Sequence, residues 1–150
     1  MEYDFQPYIG AGPLRFGMTT DEITNILGAP DMIEYFSNVP EYSLEYAYDR
    51  NGFSIYFNKE GCVEAMLFMP NTGLIFAGKN LKTVPLLSLR SWVWENDREI
   101  EEVEGFDFCS YRFGFFTTSL STNHDPDTSA YSIMMFRRNY VEDMRAAANA

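Results

Sequence analysis

The chain is short of the residues that most often carry chemistry. It has one histidine and two cysteines, and 11 basic residues stand against 22 acidic ones, for a formal charge of −11. Nucleic acid is a poor partner for such a chain, because phosphate neutralisation needs clustered Lys and Arg. Anionic membrane surfaces are disfavoured for the same reason. The histidine, His124, lies in Thr122-Asn123-His124-Asp125-Pro126-Asp127, a run of turn-forming residues. A metal site needs more ligands than this loop displays. Ser–His–Asp catalysis would have to recruit the same histidine, and no Gly-x-Ser-x-Gly elbow occurs. Cys62 and Cys109 are far apart, sit inside strand-like runs and lack the local signatures of catalytic thiols. They read as small buried or semi-buried thiols rather than a disulfide. No apolar run approaches the roughly 18 residues of a membrane span. Met1-Glu2-Tyr3-Asp4 lacks the basic-then-apolar order of a secretory signal. The expectation is a cytoplasmic, non-enzymatic protein with no catalytic, cofactor-binding or metal-binding residues.

What the chain has in excess is aromatic surface. Thirteen Phe, 10 Tyr and 2 Trp among 150 residues favour strands and pack across neighbouring strands. The length suits one domain, residues 1–150, able to bury about two-thirds of its unfolded surface.

The clearest local signal is a short helix with its start and stop written out. Thr19 and Glu22 have capping-box spacing, and Asp21 and Glu22 place negative charge in the first turn. Ile23, Ile26 and Leu27 form one narrow apolar stripe. Gly28 is suited to a left-handed terminus and Pro30 prevents continuation. Asp31–Tyr42 reads as irregular. Alternation then sets in: Leu44, Tyr46 and Tyr48 share a face, as do Phe53, Ile55 and Phe57, with Asn51-Gly52 marking a hairpin between them. Cys62–Met69 forms a third strand.

The second half repeats this order more loosely. Thr83 is a candidate cap and Pro85 a first-turn residue for a helix carrying Leu86, Leu87, Leu89, Val93 and Trp94. An acidic connector, Glu95–Glu104, leads to strands at Phe106–Tyr111, Phe113–Leu120 and Ala130–Phe136. Val141–Ala150 is Ala-rich and reads as a frayed terminal helix. The expected fold is therefore α+β: two helix–β–β–β units, about 12–70 and 74–140, forming an antiparallel sheet of about six strands with helices on one face.

Gly12-Pro13-Leu14-Arg15-Phe16-Gly17-Met18-Thr19, then Glu22-Ile23 and Ile26-Leu27-Gly28-Ala29-Pro30, resembles a signature found in two groups. These are the β-lactamase-inhibitor-protein-like repeats and the SmpA/OmlA-type outer-membrane assembly lipoproteins. A similar opening occurs in small uncharacterised bacterial proteins, some of which look like immunity proteins of toxin systems; Phe136 and Tyr140 stand where their ending would fall. The lipoprotein members carry a signal and an anchor cysteine; neither is read near Met1-Glu2-Tyr3-Asp4, so a role in envelope assembly is not expected. The inhibitor resemblance implies binding of a protein through the sheet, with no individual contact residue carried over.

These readings converge on a protein-binding inhibitor, an immunity-type protein that neutralises a basic bacterial toxin by steric occlusion and charge complementarity. The candidate partner-binding residues are the aromatics Tyr46, Tyr56, Trp92, Trp94 and Tyr111 with the acidic Glu95, Asp97, Glu99, Glu101 and Glu102. Trp92 and Trp94 flank Val93 and cannot both face one side, so one is expected in the core and one at an interface. The alternative is a structural or housekeeping domain acting as a homodimer through an open sheet edge.

Overall fold

A computed structural model describes residues 2–37, 43–70, 72–103, 105–119 and 127–149. In chain order its strands and helices are β1 (Glu2–Gln6), β2 (Gly10–Ala11), β3 (Leu14–Arg15), α1 (Thr20–Leu27), β4 (Met32–Tyr35), β5 (Leu44–Tyr48), β6 (Phe53–Phe57) and β7 (Val63–Phe68). There follow β8 (Gly73–Phe76), β9 (Lys79–Asn80), α2 (Leu86–Asn96), β10 (Glu101–Glu102), β11 (Phe108–Ser110), β12 (Phe115–Thr118), β13 (Ser132–Phe136) and α3 (Tyr140–Ala148). The strands form two sheets. An antiparallel sheet of eight runs β10-β11-β12-β13-β7-β6-β5-β4, and a sheet of five runs β3-β2-β1-β8-β9.

The expected architecture of two helix–β–β–β units, one six-stranded sheet and helices on one face is not what forms. Each of α1 and α2 is followed by four strands of the large sheet, not three, because β4 and β10 extend it outward at either end. A second sheet is built from segments with no assigned role in the sequence reading. The helices also lie on both faces. Ile23 of α1 and Leu86, Leu89 and Val93 of α2 join the larger core, with Phe53, Ile55, Phe57, Met66, Phe68, Phe115, Ile133 and Met135. Tyr140 of α3 joins Tyr56, Ala65, Cys109 and Phe136 in a smaller cluster. Neighbouring residues of β6, β11, β12 and β13 fall in opposite clusters, so the clusters mark the two faces of one sheet.

The five-stranded sheet covers the larger face through aromatic contacts. Tyr3 meets Phe53 edge-on at 5.2 Å between ring centres, and Phe5 meets Phe115 at 5.6 Å. Such T-shaped pairs present the positive edge of one ring to the negative face of the other. The pairing of β1 with β8 is parallel, Tyr3 opposite Leu74, and joins residues 71 positions apart, which no local pattern announces.

Helix α1 follows its signals. Thr19 caps it, its side chain accepting from Glu22 N at 3.2 Å, while Thr19 N donates to Glu22 Oε1 at 3.3 Å. Gly28 takes φ 83° but ψ −171°, so it ends the helix outside the left-handed helical well. In α2 the expected cap is displaced: Pro85 occupies the N-cap without a side-chain cap, and Thr83 lies in the preceding turn. The C-terminal helix forms at Tyr140–Ala148. At Asn51-Gly52 the chain turns with Gly52 at φ 80°, and a Cβ there would meet Thr72 Oγ1 at 2.2 Å. Conformation and space both require glycine at that turn.

One irregularity shapes the centre of the large sheet. Tyr56 pairs with Ala65 but Phe57 with Val63, leaving Glu64 as an extra residue on β7. This bulge holds a buried carboxylate. Asn58 Nδ2 donates to Glu64 Oε1 at 2.8 Å. Arg137 Nε lies 2.8 Å from Oε2 but off any hydrogen-bond direction, so that oxygen is held by charge. Among the described residues, no helix is long and apolar enough to cross a membrane.

Candidate functional site

The large sheet ends in two edges of different character. At one end is β10, two residues long and made of Glu101 and Glu102. Both side chains are engaged. Glu102 pairs with Arg90 of α2 at 2.8 Å, and Glu101 pairs with Arg145 of α3 at 2.8 Å while also accepting from the Tyr111 hydroxyl. Arg145 additionally donates to Tyr111 Oη at 2.8 Å. These bonds hold the Glu101 carboxyl below its ordinary range, first through Tyr111 and then through Arg145. Desolvation, followed by the Glu101 hydrogen bond, pushes the Tyr111 hydroxyl up.

Behind this edge the acidic connector is anchored by a buried carboxylate. Asp97 Oδ2 accepts from Ser110 Oγ at 2.9 Å and Arg112 N at 3.2 Å, and Oδ1 accepts from Glu99 N at 3.0 Å. Asp97 is 6% exposed, so its charge fastens α2 to the turn after β11. A recess of about 540 Å³ opens beside β10, lined by Val103, Cys109, Phe116, Val141 and the Glu101–Tyr111–Arg145 group. Burial pushes the Cys109 thiol up to about 12, so it stays protonated and a poor nucleophile at neutral pH. Both cysteines are free.

At the other end is β4, Met32-Ile33-Glu34-Tyr35, exposed along its whole length. Met32 is 59%, Ile33 44% and Tyr35 78% exposed. Among the described residues it pairs on one side only, with β5: Met32 opposite Ala47, Ile33 opposite Tyr46, Glu34 opposite Glu45 and Tyr35 opposite Leu44. Phe36 N donates to Ser43 O at 2.9 Å. Ladder bonds in an antiparallel pair alternate along the strand. The N–H and C=O groups of Ile33 and Tyr35 therefore point away from β5, toward the open side. Glu34 and Glu45 stand directly opposite one another, a destabilising arrangement for like charges, and neither forms an ion pair among the described residues.

The sequence-proposed residues scatter over this framework. Glu101 and Tyr111 meet, with Arg145 between them. Trp94, Glu95 and Glu102 line a recess of about 360 Å³ with Leu87, Arg90 and Ile100. Glu95, Asp97, Glu99 and Tyr111 line another of about 460 Å³. Glu95 has Arg98 at 3.5 Å. Trp94 is exposed with the Arg98 guanidinium 4.9 Å above its ring. Trp92 is half-buried, stacked on Phe113 and edge-on to Phe76. Tyr46 packs edge-on against Phe57 at 4.9 Å, and Tyr56 is buried on the opposite face. The three aromatics Tyr46, Tyr56 and Trp92 are thus not brought together. Glu104 and His124 lie outside the described residues.

Sequence reasoning missed β4. Asp31–Tyr42 reads as irregular, yet Met32–Tyr35 forms an edge strand. The signal was present as a run of strand-forming residues without period-two alternation, the pattern of a strand with no buried face. No protein-family model, no curated protein and no solved structure matches the chain.

Proposed function

We propose that this chain is a protein-binding module that occludes a basic partner, in the manner of an immunity protein neutralising a toxin. One observation carries the reading: strand β4 leaves a sheet edge open and exposes three large apolar side chains in a chain of charge −11. Natural sheets cover, shorten or charge such edges, because an uncovered one recruits another strand. The negative charge steers a basic partner toward the surface and raises its on-rate. The acidic connector contributes less than its composition implies. Asp97 is buried, and Glu95, Glu101 and Glu102 are engaged by arginines.

The test immobilises the wild-type protein and the double variant Ile33→Lys/Tyr35→Lys and challenges both with a bacterial lysate at low and at moderate salt. The expected result is a stoichiometric basic polypeptide retained by the wild type and lost in the double variant. Retention by both proteins, or by neither at low salt, sinks the reading.

A further inference from the structure

We infer that the occupant of the β4 edge is an extended segment of the partner, added to the large sheet as a ninth strand and carrying basic and apolar residues in alternation. This rests on the protein-binding reading above and specifies its chemistry.

Two of the four residues on this edge, Ile33 and Tyr35, turn their backbone donors and acceptors outward, as derived from the bond of Phe36 N to Ser43 O. They supply the main-chain ladder that strand addition requires. The side chains beside that ladder sort by face. Ile33 and Tyr35 lie on the face of Tyr46 and Leu44, which pack against the larger core. Met32 and Glu34 lie on the opposite face with Ala47 and Glu45. A strand laid alongside β4 also alternates. Its residues on the first face meet Ile33 and Tyr35 and are matched by apolar side chains. Those on the second face meet Glu34, with Glu45 one strand further in, and are matched by Lys or Arg. The aliphatic stem of such a residue covers Met32 while its cation reaches the carboxylates.

The Glu34–Glu45 pair makes this more than a statement about net charge. Two carboxylates directly opposed across strands weaken the isolated sheet, and nothing among the described residues neutralises them. The nearby Arg50 is committed to Asp31, its Nε 2.8 Å from Oδ1. Lys59 lines the recess of about 630 Å³ beside Tyr35 and Leu44, on the apolar face. A cation delivered on the third strand relieves the repulsion.

The same pair argues against a second copy of this chain. Continuing the sheet through a two-fold axis keeps like faces together, and the two registers of greatest overlap centre β4 on Ile33 or on Glu34. Either register brings the Glu34 and Glu45 of both copies onto adjoining strands, four carboxylates without a cation. Copies of charge −11 also repel one another until salt screens them.

The test uses the full chain and three blocked synthetic peptides at physiological salt: alternating Lys-Val, alternating Glu-Val, and a block peptide with the Lys-Val composition. Amide hydrogen exchange is read residue by residue. At a free peptide concentration ten times its dissociation constant, protection of the open-side amides rises about tenfold. The expected result is such slowing at Ile33 and Tyr35 with alternating Lys-Val alone, abolished in the Glu34→Lys/Glu45→Lys variant. No slowing at these amides, or equal slowing with alternating Glu-Val, overturns the inference. So does sedimentation of the peptide-free chain as a dimer with both amides already protected, which would make the occupant a second copy. Capture of a basic protein that depends on Tyr35 but leaves both amides unprotected overturns strand addition while the module reading survives.

Discussion

The two ends of the eight-stranded sheet solve the same problem in opposite ways. An edge strand presents unpaired backbone groups, which natural sheets keep from recruiting a neighbour. At β10 the solution is complete: two residues, both glutamates, each tied to an arginine from a helix. At β4 the single charged side chain, Glu34, has no ion-pair partner among the described residues. The strand is twice as long, carries no Lys, Pro or bulge, and turns Met32, Ile33 and Tyr35 to solvent. The same chain thus guards one edge and leaves the other open. An open apolar edge is a liability unless something uses it, and that contrast is the reason for proposing β4 rather than the acidic connector as the binding edge.

The guarded edge is where substitution costs most. Asp97 is buried and accepts three hydrogen bonds, two of them from backbone N–H groups. Asp97→Ala removes the acceptor and leaves Ser110, Arg112 and Glu99 with unpaired donors. The expected loss is about 3 kcal/mol, or about 6–12 °C in Tm for a domain of this size. Asp97→Asn keeps an acceptor and should lose less. Calorimetry measures both, and equal stability of Asp97→Ala and wild type would mean that the guarded edge does not depend on this anchor.

That anchor shows where the sequence stops being legible. Asp97 lies in a run of acidic residues, and composition makes the whole run look solvated. Only the fold tells the buried carboxylate from Glu99 two positions on. The capped helix at Thr19 was readable from its cap and apolar stripe, and the strands around Tyr46, Ile55, Met66, Phe115 and Ile133 from runs of aromatic and aliphatic residues between turn signals. Strand β4 was not, since an edge exposed on both faces shows no alternation. Strands β2, β3 and β9 span two residues each, too few for any period. The parallel pairing of β1 with β8 is a long-range event that creates the second sheet. Of the candidate site, Glu101 and Tyr111 were named from sequence, but their partner Arg145 lies 44 residues from Glu101 on a helix read only as a frayed tail.

Guarding the open edge should cost little. Ile33 is 44% and Tyr35 78% exposed, and surface substitutions away from buried networks usually change stability by less than about 0.5 kcal/mol. Ile33→Lys is therefore expected to unfold at nearly the wild-type denaturant midpoint while making β4 resemble a protected edge. A much larger loss would show that Ile33 is a structural residue of the Tyr46 face, and the contrast between the edges would fail at that position.

The smallest effect belongs to the ion pair that seals β10. Hydrogen bonds from Tyr111 and Arg145 hold the Glu101 carboxyl below its ordinary range. A carboxyl with a depressed folded pKa stabilises the protein above the unfolded value, and the contribution is lost as pH falls through the folded pKa. Glu101 and Arg145 are each about half exposed, so solvent screening keeps the gain small. The readout is accordingly a titration rather than a melting curve. In carbon-detected NMR the Glu101 carboxyl of the wild type should titrate below the ordinary glutamate range. Tyr111→Phe should move the midpoint upward by removing the largest single contributor, and Arg145→Ala, which removes a hydrogen bond and a charge together, should also move it upward. If Tyr111→Phe leaves the midpoint in place, the hydroxyl contributes nothing to holding Glu101 on the edge, and the seal reduces to Arg145 alone. Because Arg145 comes from α3 and Arg90 from α2, the guarded edge is closed by two helices at once, whereas no described helix contributes an ion pair to the β4 carboxylates.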